Sequence, residues 1–333
     1  TRTGLLDLPR QAHATWGLIR TAAFSRDPVM ERQARRSLRY LQGLVRLSVD
    51  GGCWLEGGGS SPSIAELAFM LLSLCHLPDG DPALSLAPTL AETLWSQIDL
   101  HGRMATLLHP KTDADSYQDY FPGQALLALG VAALAGHADV REDKLQAAFR
   151  YYRHRYRYRR DWGQVAWQMQ AWAAWWWVLR KPEFARFVFE IADWVMSHQL
   201  EKSGAIVNGH LPEGQGFTAG LYLEGLAAAA GVAREMGDGR RSRKLEAACR
   251  AGFRYLDRLV LQDRDRILLP EAGQALGGVR ESEFMSRIRL DYVGHALSAV
   301  LNFISALGLS ERLRDGEPSS VEPQPKNNHE YHE

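Results

Sequence analysis

Along almost the whole chain, apolar residues return at helical spacing, and β-branched runs of period two are nearly absent. The pattern predicts helices at about 8–25, 28–47, 63–77, 84–98, 122–136, 139–156, 161–180, 182–200, 217–236, 239–262 and 288–308. Breakers at Asp27-Pro28, Pro78-Asp79-Gly80, Lys181-Pro182 and Gly237-Asp238-Gly239 leave short links between them. Short links join antiparallel neighbours into helical hairpins. The connections Val49–Pro62, Leu100–Phe121, Glu201–Gly216 and Asp263–Ser286 are long, and only the link at about 157–160 breaks the alternation. A ring of hairpins produces this asymmetry, because one end need only turn the chain while the other is free to build a site.

Five hairpins and a final helix predict an all-α fold, an (α/α)5–6 toroid forming one domain over residues 1–315. An open helical solenoid is the alternative. Nearly every helix is rich in Ala and Gly on one side, as crowded inner helices require, and this favours the closed ring. The hairpin spacing is irregular, so the chain is not a repeat of fixed period. Residues 316–333, with Glu317, Pro318, Ser319, Ser320, Pro323, Pro325, Asn327 and Asn328, are expected to be a flexible or surface-wrapped tail.

Composition narrows the class. Of 333 residues, 46% are hydrophobic, enough for a large core. Lys plus Arg and Asp plus Glu both number 39, a formal balance that argues against a generic nucleic-acid binder. The three cysteines, Cys53, Cys75 and Cys249, show no CxxC spacing and imply neither a disulfide framework nor a structural zinc site. No run of eighteen apolar residues is present, and Val165–Leu179 is interrupted by Gln168 and Gln170, so no membrane-spanning helix is expected. The chain starts at Thr1 without a signal segment, which suggests a piece removed upstream and leaves its location, extracytoplasmic or cytoplasmic, open. GxSxG, P-loop, HExxH and GxGxxG signatures are lacking, as is the DxDD run of terpene cyclases; Cys75-His76 is too little for a zinc toroid cyclase. No cofactor and no metal are expected.

The helices entered from long loops carry the candidate chemistry. Asp113, Asp115, Tyr117, Asp119, Tyr120 and Gln124 lie at the helix near 122; Asp161, Trp162, Gln164, Trp167 and Gln168 at the next; His210, Glu213, Gln215, Thr218 and Tyr222 near 217; and Arg287, Arg289, Asp291, Tyr292 and His295 at the last. In a toroid these clusters converge on one rim. Aromatic faces, amides and paired carboxylates are what a sugar site needs. Simpler roles compete. Asp161 and Asp119 fit helix caps, Glu213 a solvated loop, Asp291 an ion pair with Arg287 or Arg289, and His295 a satisfied core histidine. Seven of the ten tryptophans lie between Trp162 and Trp194. Trp172, Trp175 and Trp176 share a face and read as core, whereas Trp162 and Trp167 are candidate sugar platforms. Six arginines alternate with tyrosines over Arg150–Arg160. They read as a solvated helix end or, through Arg155 and Arg157, as a site for an anionic glycan.

Asp119–Leu129 (DYFPGQALLAL), Tyr222–Ala228 (YLEGLAA) and Arg289–His295 (RLDYVGH) resemble the rim and inner-helix segments of six-hairpin glycosidase-like proteins and of the N-acylglucosamine 2-epimerase type. The likeness is general and covers most of 110–308. It implies a carbohydrate-active enzyme, foremost a glycoside hydrolase on a neutral or acidic glycan. Asp119, Asp161, Glu213 and Asp291 are then candidates for acid and base, and Tyr120, Trp162, Gln164, Trp167, Gln215, Arg287 and Arg289 for substrate binding. An epimerase or lyase would lean on Tyr292 or His295. A non-catalytic scaffold binding a polymer or a protein partner is the reading from another class.

Overall fold

A computed structural model describes residues 7–49, 51–57, 61–109, 111–112, 117–208, 216–268 and 271–309. Its helices are α1 (Leu8–Ser25), α2 (Pro28–Gly43), α3 (Ile64–Leu74), α4 (Ala87–Ser96), α5 (Phe121–Leu134), α6 (Glu142–Tyr158), α7 (Trp162–Leu179), α8 (Pro182–Met196), α9 (Gly216–Glu235), α10 (Gly239–Leu259), the short α11 (Ala272–Ala275) and α12 (Leu290–Ala306). Their starts follow the local chemistry. Asp7, Asp27, Asp161 and Asp238 each accept a backbone N–H from the first turn. Ser63 and Glu66 form a reciprocal capping box at α3.

Six helices form a closed inner ring. α1 packs on α3, α3 on α5, α5 on α7, α7 on α9, α9 on α12, and α12 back on α1. Each is apolar over most of its circumference; every residue of α3 is buried. The intervening helices α2, α4, α6, α8 and α10 lie outside and are amphipathic, as their single buried face demands. α6 docks through large side chains, with Phe149 edge-on to Trp172 at 4.8 Å and to Phe184 at 4.9 Å. Close approach inside the ring rests on small residues. A Cβ at Gly220 would meet the backbone of His295 and Ala296 at 2.8 Å, so α9 and α12 touch only because that side chain is missing.

The expected all-α toroid is present. Trp172 and Trp175 are fully buried, and the three cysteines are free. The second helix is shorter than the pattern implied: it ends at Gly43, and Val45–Leu47 instead pairs as strand β1 with β2 (Cys53–Leu55). A second two-stranded pair, β3 (Leu107–Leu108) with β4 (Lys111–Thr112), edges the next long loop. β-branched and apolar residues at a helix end serve either state, and the tertiary pairing decides. Among the described residues no helix is long and apolar enough to cross a membrane. The tail 316–333, with Glu213, Gln215, Asp113, Asp115 and His210, lies outside the described residues.

Candidate functional site

The inner helices are parallel, so their N-termini meet at one rim, where the long loops also lie. A cleft of about 450 Å³ opens there. α1 contributes Arg10 and His13, α3 Phe69, α5 Phe121 and Gln124, α7 Trp167, and α12 Asp291 and His295, with Arg289 just before it. Tyr117 stacks on Phe121 at 4.9 Å with planes 7° apart, forming a flat aromatic wall. Trp167 presents its edge to Phe69 at 5.5 Å and to His13 at 6.2 Å.

Two histidines sit at the bottom. His13 and His295 have ring centroids 4.4 Å apart, and both are more than nine-tenths buried. His295 Nδ1 lies 2.7 Å from Glu224 Oε1, and the other carboxylate oxygen accepts from Gln170 Nε2 at 2.9 Å. A carboxylate oxygen accepts, so Nδ1 carries the hydrogen and Nε2 is the basic nitrogen of a ring that lines the cleft. Such an acid–imidazole pair orients a general base. Burial, with the nearby His295 and Arg20 adding to it, holds His13 well below the ordinary imidazole range and hence neutral. Its Nε2 is buried without a partner. His13, Glu224 and His295 place one ligating atom each within 4.8 Å of one another, a set that could also hold a divalent cation.

Charge at the mouth is balanced. Arg289 grips Asp291 at two points (3.0 and 2.6 Å), and Arg10 approaches the same carboxylate at 3.6 Å. Tyr120 also lines the cleft. Burial, then Asp161 and Asp119, raise its phenol pKa and keep it protonated. Its ring lies on α7 where a Cβ at Gly163 would meet it at 2.5 Å.

No family model and no curated protein matches the sequence. Solved structures do match in shape. An unsaturated glucuronyl hydrolase specific for heparin superposes with a TM-score of 0.61 at 12% identity, over 91% of this chain and 87% of that one. A GH76 α-mannanase from Bacteroides thetaiotaomicron gives 0.63 at 9% identity, over 95% and 89%. A sugar epimerase from a ruminal bacterium gives 0.60 at 13%, over 88% and 87%. The chain has the six-hairpin (α/α) toroid fold.

Within the toroid, the residues singled out from sequence separate into distinct places. Asp291, His295, Arg289, Tyr120 and Trp167 line the cleft. Asp119 is not the cap of α5: Tyr120 takes that position, with no side-chain cap bond. The Asp119 carboxylate instead accepts from Arg155 Nε (3.0 Å) and Nη2 (2.8 Å) and from Gln164 Nε2 (2.8 Å), tying the loop to α6 and α7. Asp161 caps α7 through Gly163 N–H at 2.8 Å. Trp162 packs outward on Trp194, Tyr222 and His198. Tyr292 is buried beneath Arg289, whose guanidinium lies 5.0 Å from its ring. Arg157 pairs with Glu190 and Arg287 with Glu281. The arginine-rich stretch is thus stitched to acidic neighbours in the fold. Sequence reasoning passed over His13 and Glu224. Glu224 had a signal: a lone carboxylate amid Leu, Gly and Ala in a helix with no polar face.

Proposed function

We propose that the protein is a carbohydrate-active enzyme that moves a proton at a sugar carbon, as a sugar or uronate epimerase or lyase does, with His295 as the general base. The observation that carries this reading is the Glu224–His295 pair, at 2.7 Å, on the floor of an aromatic-walled cleft. Neutral His13 and the phenol of Tyr120 are the nearby proton donors. In the reaction, the proton on a carbon next to a carbonyl or carboxylate passes to His295 Nε2. Arg10, Arg289 and the inner-helix N-termini favour the enolate charge that develops. Return of the proton gives an epimer; departure of a group from the neighbouring carbon gives an unsaturated product.

Hydrolysis is the weaker reading. Of the four carboxylates proposed for it, Asp119 is closed off by Arg155 and Gln164, Asp161 is a cap, and Glu213 lies outside the described residues. Asp291 does line the cleft, but in two-point contact with Arg289. The folds of a glucuronyl hydrolase and of a sugar epimerase support the substrate class, polyhydroxyl and in part acidic. The test is turnover of neutral and uronate sugars in deuterated water. Exchange of a carbon-bound proton, lost in His295→Asn by about a hundredfold or more, is expected. New reducing ends without exchange, or an active His295→Asn variant, would reverse the assignment. A second reading rests on the three ligating groups within 4.8 Å: a bound divalent metal would polarise the substrate there, and activity would then vanish with chelation and return with Zn²⁺ or Mn²⁺.

A further inference from the structure

A larger, open cavity of about 620 Å³ lies at the opposite end of the toroid. Two buried donors that line it have no acceptor: Arg20 Nη1 and Trp16 Nε1. They are neighbours, the guanidinium lying 4.8 Å over the indole. Arg20 Nη2 donates to the neutral Asn302 Oδ1 at 2.6 Å, and the carboxylate that acts on this arginine, Glu224, does so through space. His76, also on the wall, adds no charge. Burial holds it at about 4, and its Nδ1 donates to Leu72 O at 2.8 Å. The inner helices turn their carbonyl ends this way, which suits a cation. They do not supply acceptors for Nη1 or the indole N–H, and an unmet buried donor is costly.

Arg20 also starts an unbroken polar chain along the toroid axis. Asn302 Nδ2 donates to Gln170 Oε1 at 3.2 Å and to the Glu224 carbonyl at 3.3 Å. Gln170 Nε2 donates to Glu224 Oε2, and Glu224 Oε1 accepts from His295. Arg20 and His295 are therefore joined through three side chains, Asn302, Gln170 and Glu224, and the wall of the far cavity also carries Arg234, Glu235 and Ser305.

We propose that this cavity is a second ligand site, which takes a small oxyanion, phosphate or carboxylate, on Arg20 and Trp16. The proposal is independent of the chemistry proposed at the rim.

The experiment is calorimetry of the full chain with inorganic phosphate and, separately, citrate, which distinguishes a phosphorylated from a carboxylated ligand. Binding of at least one is expected, with Arg20→Gln weakening it by about thirtyfold or more, the usual consequence of losing a charge-assisted pair. Gly231→Met is a second variant that leaves Arg20 intact. A Cβ there is in ordinary contact with Ala306 at 3.6 Å, and Gly231 lines the cavity, so the longer side chain takes up part of it. It also abolishes binding, so the proposal stays testable if Arg20→Gln does not fold. Arg289→Gln, at the other end, leaves the affinity within about twofold. No binding of either anion up to about 10 mM would mean that water alone meets the two donors, and would overturn the proposal. So would binding that survives Gly231→Met or disappears in Arg289→Gln.

Discussion

Glu224 is fully buried, yet Glu224→Gln is expected to fold and Glu224→Ala to be severely destabilised. The carboxylate meets two donors, Gln170 Nε2 at one oxygen and His295 Nδ1 at the other. Glutamine keeps the shape and offers one acceptor and one donor. Its carbonyl can face Gln170, and its NH2 can face His295, provided the imidazole changes tautomer so that Nδ1 accepts. No buried polar atom is then left unmet. The loss is the difference between a charge-assisted and a neutral hydrogen bond, together with the field of Glu224 on Arg20, about 1–2 kcal/mol. Alanine strands both donors, at about 1–3 kcal/mol each, and opens a cavity besides, for a total of about 4 kcal/mol or more. Urea unfolding gives the two differences. Nitrogen-15 spectra of the imidazole give the tautomer, with the hydrogen on Nδ1 in the parent and on Nε2 in Glu224→Gln. The same flip removes the basic nitrogen from the cleft, so proton exchange into substrate drops by about a hundredfold or more with the fold intact. Equal destabilisation by Gln and Ala, or a histidine that keeps its Nδ1 hydrogen in the Gln variant, would refute the account of the pair.

Other expectations follow from the same packing. Burial pushes the Glu66 carboxyl up to about 7 from an ordinary 4.5, so the folded state holds its proton more tightly than the unfolded chain and this contribution is lost as pH rises from 4.5 to 7. Glu66→Gln keeps an acceptor for the Ser63 N–H, so its melting temperature should match the parent near pH 4.5 and exceed it at pH 8, by up to about 3 kcal/mol in stability; parallel curves would refute this. Gly220→Ala forces a methyl against the His295 and Ala296 backbone, costing about 1–3 kcal/mol and blurring the His295 resonance, and wild-type stability would show that α9 and α12 can part. Asp119→Asn weakens the charge-assisted bonds that this buried carboxylate accepts from Arg155 and Gln164, so about 1–3 kcal/mol should be lost in chemical denaturation, whereas Arg157→Gln, an exposed partner of Glu190, should change stability by less than about 1 kcal/mol.

The toroid was legible because its determinants are local. Pro and Gly at Asp27-Pro28, Lys181-Pro182 and Gly237-Asp238-Gly239 fix where helices turn, and the loop-length asymmetry says which rim is free. Asp161 was readable as a cap for the same reason, since a cap is a matter of two residues. The site was only half legible. Asp291 and His295 could be found because they sit where a long loop enters a helix, but so does Asp119, which the fold pairs with Arg155 of α6 and Gln164 of α7. Sequence position gives the rim; it does not say which rim carboxylate already has a partner. His13 lay beyond reach because it is 282 residues from His295, and only closure of the ring through α1 and α12 brings them together.

That closure also explains why polar residues persist along an axis otherwise lined by Leu, Ala and Trp. Arg20, Asn302, Gln170, Glu224 and His295 come from four different inner helices, α1, α12, α7 and α9, and each meets its partner only when these helices pack side by side. A half-formed chain of this kind is worse than an apolar core, because each stranded donor or acceptor stays desolvated. The chain therefore penalises every open or slipped arrangement of the inner helices: sliding α9 past α12 by one turn would leave Glu224 without His295, and opening the α1–α12 seam would part Arg20 from Asn302. Apolar packing in the inner ring tolerates several such registers, since Leu, Ala and Met can repack. The polar axis selects one of them, and that register is the one that sets two histidines 4.4 Å apart beneath the cleft.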